Sequence, residues 1–289
     1  MNYPEPSIRV NVDVTNPGQF FACCGLLELA DRLWPGAEGW FEEEEQFCVA
    51  CESSLEELLK TLSGTTINSS VGDDGLKRLG TLLSTKKSSL STSDQEEKGR
   101  LRSMWQQETL HLGPPFDVLL DWWRDEDNER TPLKTWAAKQ FVLEIVRPLL
   151  QAITAVAEQC PLNDILLRSA DVNGLPLYFD SHAQCQNTAI DTGFSLYDLR
   201  TVIRSAESIK PALELFCFIG LQRFRPHTTP TDSMFRFSVW SAPLPVAVAA
   251  TAVCGQIRLS GERQYAFRLL DRTKYMKAFL PATPIGDLT

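Results

Sequence analysis

Arg223 and Arg225 flank Phe224 directly after an apolar run, with Gln222 before them and Pro226-His227-Thr228-Thr229 behind. That alternation suits a polyanion. Guanidinium forks take phosphate oxygens, while rings, imidazoles and hydroxyls meet bases. Arg200 and Arg204 stand four apart and would share a helix face. Arg258, Arg263, Arg268, Arg272, Lys274 and Lys277 continue the series, with Tyr265, Phe267 and Tyr275 between them. The competing reading is internal: the same cations pair with acids elsewhere in the chain.

Other chemistry is thinner. Cys48-Val49-Ala50-Cys51 is a lone CxxC, and a zinc site needs four convergent ligands. His182 and Cys185 could complete a set of three cysteines and one histidine, but nothing in the spacing brings them together. There are three histidines, His111, His182 and His227. Asp180 and His182 sit two apart in a loop, and the spacing fixes no nucleophile–base–acid geometry. Asp117 and Asp121 share a strand face, a spacing that suits a metal but more often pairs with Lys or Arg. Glycine-rich phosphate loops, HExxH and GxSxG are absent from the sequence. The expectation is a protein that is not an enzyme and carries no cofactor and no metal.

Charge is divided along the chain. Residues 1–130 carry 12 Lys and Arg against 24 Asp and Glu, and residues 131–289 carry 16 against 13. Residues 200–277 alone hold 12 basic and 5 acidic side chains. A net charge of −9 argues against a free-standing nonspecific nucleic-acid binder, but not against a subunit that touches nucleic acid within a complex. No charged apolar leader opens the sequence, and the low-charge run Ser241–Gln256 is too short and too proline-broken to span a bilayer. A cytoplasmic location with free thiols is expected for the eight cysteines.

The elements that must position these residues begin with Ile8–Val14, whose alternation predicts a strand. Asn16, Pro17 and Gln19 then supply N-cap, first helical position and capping-box signals for a buried helix over 17–33. Bare N–H groups at that turn can hold a phosphate, although a purely structural cap is the preferred reading there. Gly39–Ala50 reads as a hairpin whose four glutamates form a solvated edge. Short helices are expected from Ser54 and over 73–83, and a mobile loop over 84–100. Two strands flank Gly113-Pro114-Pro115. A long helix bent at Pro148 should run from Thr131 to Glu158, a strand over 175–180, and a polar loop over 181–199. A helix starts at Pro211, and strands cover 235–240 and 264–269. The mix predicts an α+β fold of antiparallel hairpins with buried helices in one large domain. Its acidic N-terminal region (1–130) precedes a more basic, helix-rich C-terminal region (131–289).

Six segments, in order, resemble the subtype I-U (I-G) CRISPR large-subunit-type proteins: NPGQFFACCGLLELADRLWPG, GPPFDVLLDWWRDE, LKTWAAKQ, DTGFSLYDL, PALELFCFIGLQRFRP and FSVWSAPLPVAVA. Residues 40–108 match least. The resemblance implies a non-catalytic subunit of a crRNA-guided surveillance (Cascade) complex, in which base pairing reads sequence and protein reads the protospacer-adjacent motif. Implied partners are crRNA-bound backbone subunits, target double-stranded DNA and a recruited helicase-nuclease, with no membrane. Residue chemistry then nominates Arg200, Arg204, Arg223, Arg225, Lys274 and Lys277 as phosphate contacts. Lys134, Lys139, Asn16 and Gln19 are nominated for base or phosphate contact. Two alternatives stand beside this: an architectural adaptor without DNA contact, and a guide-RNA-processing nuclease of the same system.

Overall fold

The computed structural model describes residues 3–124, 131–137, 139–158, 160–182, 209–228, 234–273 and 276–285. In chain order the first elements are β1 (Ile8–Asn11), α1 (Pro17–Leu33), β2 (Glu38–Glu42), β3 (Gln46–Ala50), α2 (Leu55–Ser63), β4 (Ile67–Ser69), α3 (Asp73–Ser84), α4 (Thr92–Gln106), β5 (Leu110–Leu112) and β6 (Val118–Leu120). The remainder are α5 (Val142–Ala157), α6 (Pro211–Gly220), β7 (His227–Thr228), β8 (Phe235–Val239), β9 (Leu244–Pro245), α7 (Val246–Val253), β10 (Arg263–Phe267), β11 (Leu269–Thr273), β12 (Met276–Phe279) and β13 (Thr283–Ile285). Helices and antiparallel sheets share one core, the expected α+β class.

At its centre α1 and α6 lie side by side, touching through backbone. A Cβ added to Gly25 would overlap the carbonyl oxygen of Phe216, and one on Gly220 would overlap that of Phe21. Gly18 meets Phe179 and Leu213 at one end, and Glu28 meets Arg223 at the other. The two helices therefore run in the same direction. Both are buried on every face, which is why their sequences are apolar all round instead of striped.

Three sheets wrap this pair. Their orders are β1-β3-β2-β9, β13-β10-β8-β7 and β4-β5-β6, with β11-β12 as a separate hairpin. Phe20 of α1 stacks on Phe237 of β8 at 4.2 Å, and Trp240 Nε1 donates to Gly39 O at 2.7 Å, so the first two sheets close on one aromatic layer. The core runs from Ile8 to Ala282, and β2–β9 pairing and α1–α6 packing both cross residue 130. The division at residue 130 is one of charge, while the core is continuous across it.

Four expectations need correction. Residues 84–100 are not a loop: after a 3-10 turn at Lys87–Ser89, α4 begins at Thr92. The Ser91 hydroxyl accepts from Asp94 N, and Asp94 accepts in return from Ser91 N, a capping box that the polar composition hid. Arg78 of α3 then bonds Asp94 and Glu97, and Lys98 Nζ caps the carbonyl of Leu82. Residues 175–180 alternate like a strand but form no ladder with a described strand: Glu214 takes the N–H groups of Leu177, Phe179 and Asp180, and Tyr178 O accepts one hydrogen bond from Phe279 N. The helix expected from Thr131 starts only at Val142, although Pro148 does lie inside it. The glutamate turn is not purely solvated. Glu43 and Glu44 adopt φ of +49° and +64°, the left-handed pair that fits a hairpin's twist. Glu44 then accepts from Tyr265 Oη at 2.6 Å and pairs with Arg263 at 3.0 Å, joining two sheets.

Candidate functional site

The parallel α1–α6 pair brings two N-termini together at one end and two C-termini at the other. Carboxyl side chains gather at the first end and guanidiniums at the second.

At the N-terminal end the polar groups are enclosed. Asn16 caps α1: its Oδ1 accepts from Gly18 N at 3.1 Å and Ser181 N at 3.3 Å, and its Nδ2 donates to Asp180 Oδ1 at 2.7 Å. Gln19 Oε1 accepts from Asp13 N at 2.8 Å, further back along the chain than a capping box reaches. Asp180 pairs with Lys210 at 2.8 Å, just ahead of α6, both side chains under one-fifth exposed. Glu214, in the first turn of α6, accepts from Leu177 N at 2.9 Å, Phe179 N at 3.3 Å and Asp180 N at 3.4 Å. These donors favour the carboxylate, but burial and the neighbouring Asp180 charge outweigh them, and the group is pushed up to about 8. Asn16 and Gln19 are buried and face inward. The structural cap preferred from sequence is what forms here, and Asp180 of the same chain occupies the place an anion would take.

Isolated candidates disperse here. His182 Nδ1 lies 3.7 Å from Asp13 Oδ2, while Asp180 turns to Asn16 and Lys210 instead. His111 meets Asp117 at 2.7 Å, and Asp121 meets Gln222 at 3.0 Å, so the two aspartates have separate partners. Burial pushes the Cys48 thiol up to about 12, away from the thiolate a metal or redox site needs. Among the described residues no group of three or more His, Cys, Asp or Glu could hold a metal, and every described cysteine is a free thiol.

At the C-terminal end the charges are half open. Glu28 is buried, yet both its oxygens face arginine: Oε1 accepts from Arg32 Nε at 2.9 Å and Arg223 Nη2 at 3.2 Å, and Oε2 lies 2.7 Å from Arg223 Nε. Gln222 fastens the adjacent strand by accepting from Asp121 N and Trp122 N at 3.0 and 3.1 Å. Trp122 Nε1 donates to Phe218 O at 2.8 Å, tying α6 into the tryptophan cluster of Trp122, Trp123 and Trp136.

The basic residues sort cleanly. Arg223 and Arg263 reach into the acidic half, to Glu28 and Glu44. Arg225, Arg258 and Arg268 are exposed, and their side chains have no hydrogen-bond or ion-pair partner among the described residues. Lys134 lies 4.9 Å above the Trp136 ring, and Lys277, whose N bonds Thr135 O, sends Nζ to Pro132 O at 3.4 Å, so these two lysines are neighbours. Lys139 is exposed nearby in sequence. Arg200, Arg204 and Lys274 lie outside the described residues. Sequence reading missed Glu28 and Arg32 as site residues. Their signal was a glutamate with an arginine four residues on in an otherwise apolar helix.

No family model matches the chain, and neither a curated protein nor a solved structure does so. No described helix is long and apolar enough to cross a membrane.

Proposed function

We infer that this chain is a non-catalytic subunit of a crRNA-guided type I CRISPR surveillance complex. It contributes to protospacer-adjacent-motif recognition and steadies the opened DNA strands. The observation that carries the nucleic-acid role is the sorting of arginines. Arg225, Arg258 and Arg268 stand exposed, with no acid paired to them among the described residues, in a protein whose net charge is −9. Exposed, unpaired cations on an otherwise acidic chain offer a polyanion local points of attraction. The segment resemblance supports the family assignment, and four of its six segments pack as one unit in α1, β6, α6 and β8–α7. The acidic residues of the N-terminal half suit basic, crRNA-bound backbone subunits.

The test is assembly with the neighbouring gene products, followed by binding to duplexes with randomised flanking sequence across a salt series. The Arg225→Ala/Arg258→Ala/Arg268→Ala variant should weaken binding and reduce the log–log salt slope by about 0.9 for each phosphate that is no longer neutralised. Identical affinity and slope in the variant would favour the architectural adaptor. Cleavage of repeat RNA by the purified chain would favour the nuclease.

A further inference from the structure

The open end of the helix pair holds an arrangement that the spacing of residues along the chain does not contain. Arg32, in the last turn of α1, and Arg223, just beyond α6, converge on a single carboxylate, Glu28, which is 3 % exposed. The two arginine side chains are 37 % and 40 % exposed. Two cations thus share one buried anion, and among the described residues no second acid balances the other positive charge. Asp117, beside Arg32, offers it only a backbone oxygen at 3.5 Å, while its carboxylate takes His111.

The attachment geometry leaves useful donors. Arg32 Nε and Arg223 Nη2 both donate to Glu28 Oε1, and Arg223 Nε lies against Oε2 as an ion-pair contact without hydrogen-bond geometry. A guanidinium carries five N–H groups in a rigid plane. Arg223 Nη1 and Arg32 Nη2 make no bond to any described residue. Because both planes are anchored to the same carboxylate, their free edges are oriented before any ligand arrives. That lowers the ordering cost that normally weakens surface arginine contacts. A tetrahedral oxyanion carrying one negative charge, with several acceptor oxygens, matches this pattern in both charge and donor count.

We propose that Glu28, Arg32 and Arg223 form a phosphodiester clamp, in which Arg32 and Arg223 jointly hold one phosphate and Glu28 is the positioning residue. This rests on the nucleic-acid reading for its natural ligand, a backbone phosphate, but the clamp itself can be tested without it.

Inorganic phosphate is the first probe, with the side-chain Nε–H signals of the arginines followed by NMR in the full chain. Signals from Arg32 and Arg223 should shift together with one saturation curve. Arg32→Ala should weaken phosphate binding at Arg223 by about tenfold or more, and Arg223→Ala should do the same at Arg32, as expected when one charge-assisted bond is removed. Arg223→Lys keeps the charge but not the fork, and should recover only part of the affinity. Independent curves, or one arginine indifferent to removal of the other, would overturn the clamp. DNA binding by the assembled complex is the second readout. Here Glu28→Gln/Arg32→Ala/Arg223→Ala, which leaves no buried charge unpaired, should lower the salt slope by about one phosphate in total, not two. A slope change of two phosphates, or none with DNA binding intact, would overturn the clamp and spare the functional reading. Failure of the unmodified complex to bind DNA, with the phosphate shifts intact, would do the reverse.

Discussion

The two ends of the α1–α6 pair carry opposite kinds of ionisable side chain and reach opposite outcomes. At the N-terminal end the carboxyl groups of Asp180 and Glu214 are sealed by Asn16, Lys210 and three backbone N–H groups. At the C-terminal end the complementary cations, Arg32 and Arg223, grip one buried glutamate and keep their outer edges in solvent. Burial makes the difference. A sealed polar cluster fixes chain geometry and answers to protons, whereas a half-open one answers to ions. The closed end should govern how stability varies with pH, and the open end how binding varies with salt.

Removing the helix contact breaks both ends at once, and should be the most damaging change. Gly25→Ala or Gly220→Ala places a Cβ on a neighbouring backbone carbonyl, and should cost about 3 kcal/mol or more, read as a collapsed urea midpoint or loss of folded protein. A fold that tolerates either alanine would show that the helices do not meet through backbone.

Next comes the pH response of the closed end. The folded-state value of Glu214 is raised, from 4.5 to about 8. The native state therefore holds a proton that the unfolded state releases, and the contribution is complete below about 4.5. It declines as pH rises and is gone above about 8, a loss on the order of a few kcal/mol. Urea titrations at about pH 5 and about pH 8.5 should show it, and Glu214→Gln should flatten the difference. An unchanged pH profile in that variant would assign the dependence elsewhere.

Lys210→Ala should cost about 3 kcal/mol, because it leaves Asp180 buried without its cation. The matching change at the open end, Arg223→Ala, should cost only about 1 kcal/mol, since Arg32 still holds Glu28 and the Arg223 side chain is itself 40 % exposed. Chemical denaturation of both variants measures the contrast directly. Equal costs would remove the distinction between a sealed and an open end.

Local patterns were plain in the sequence. The strand–cap–helix start, the helix at Pro211, the hairpin around Gly113-Pro114-Pro115 and the β8 and β10 strands all follow from periodicity and cap chemistry. The helix α4 was hidden because it has little to bury. Its capping box and its bonds to Arg78 take the place of an apolar stripe, and only the box is written locally. Residues 175–180 misled for a related reason. Alternating Leu175, Leu177 and Phe179 look like a strand, but the N–H groups of Leu177 and Phe179 bond a glutamate 37 and 35 residues away.

By itself the sequence determined which segments must be buried, where helices could start, and that positive charge gathers late in an acidic chain. Those properties depend on neighbours a few positions apart. Only the tertiary structure decided which charges are neutralised. Arg223 and Arg225 are two residues apart and chemically identical, yet one meets Glu28 across 195 positions and the other meets solvent. It likewise turned Asn16 and Gln19 inward, filling with Asp180 the turn that looked open to a ligand. Ion pairing depends on distances of a few ångströms between parts of the chain brought together by the glycine contact of α1 and α6, and no local pattern encodes that meeting.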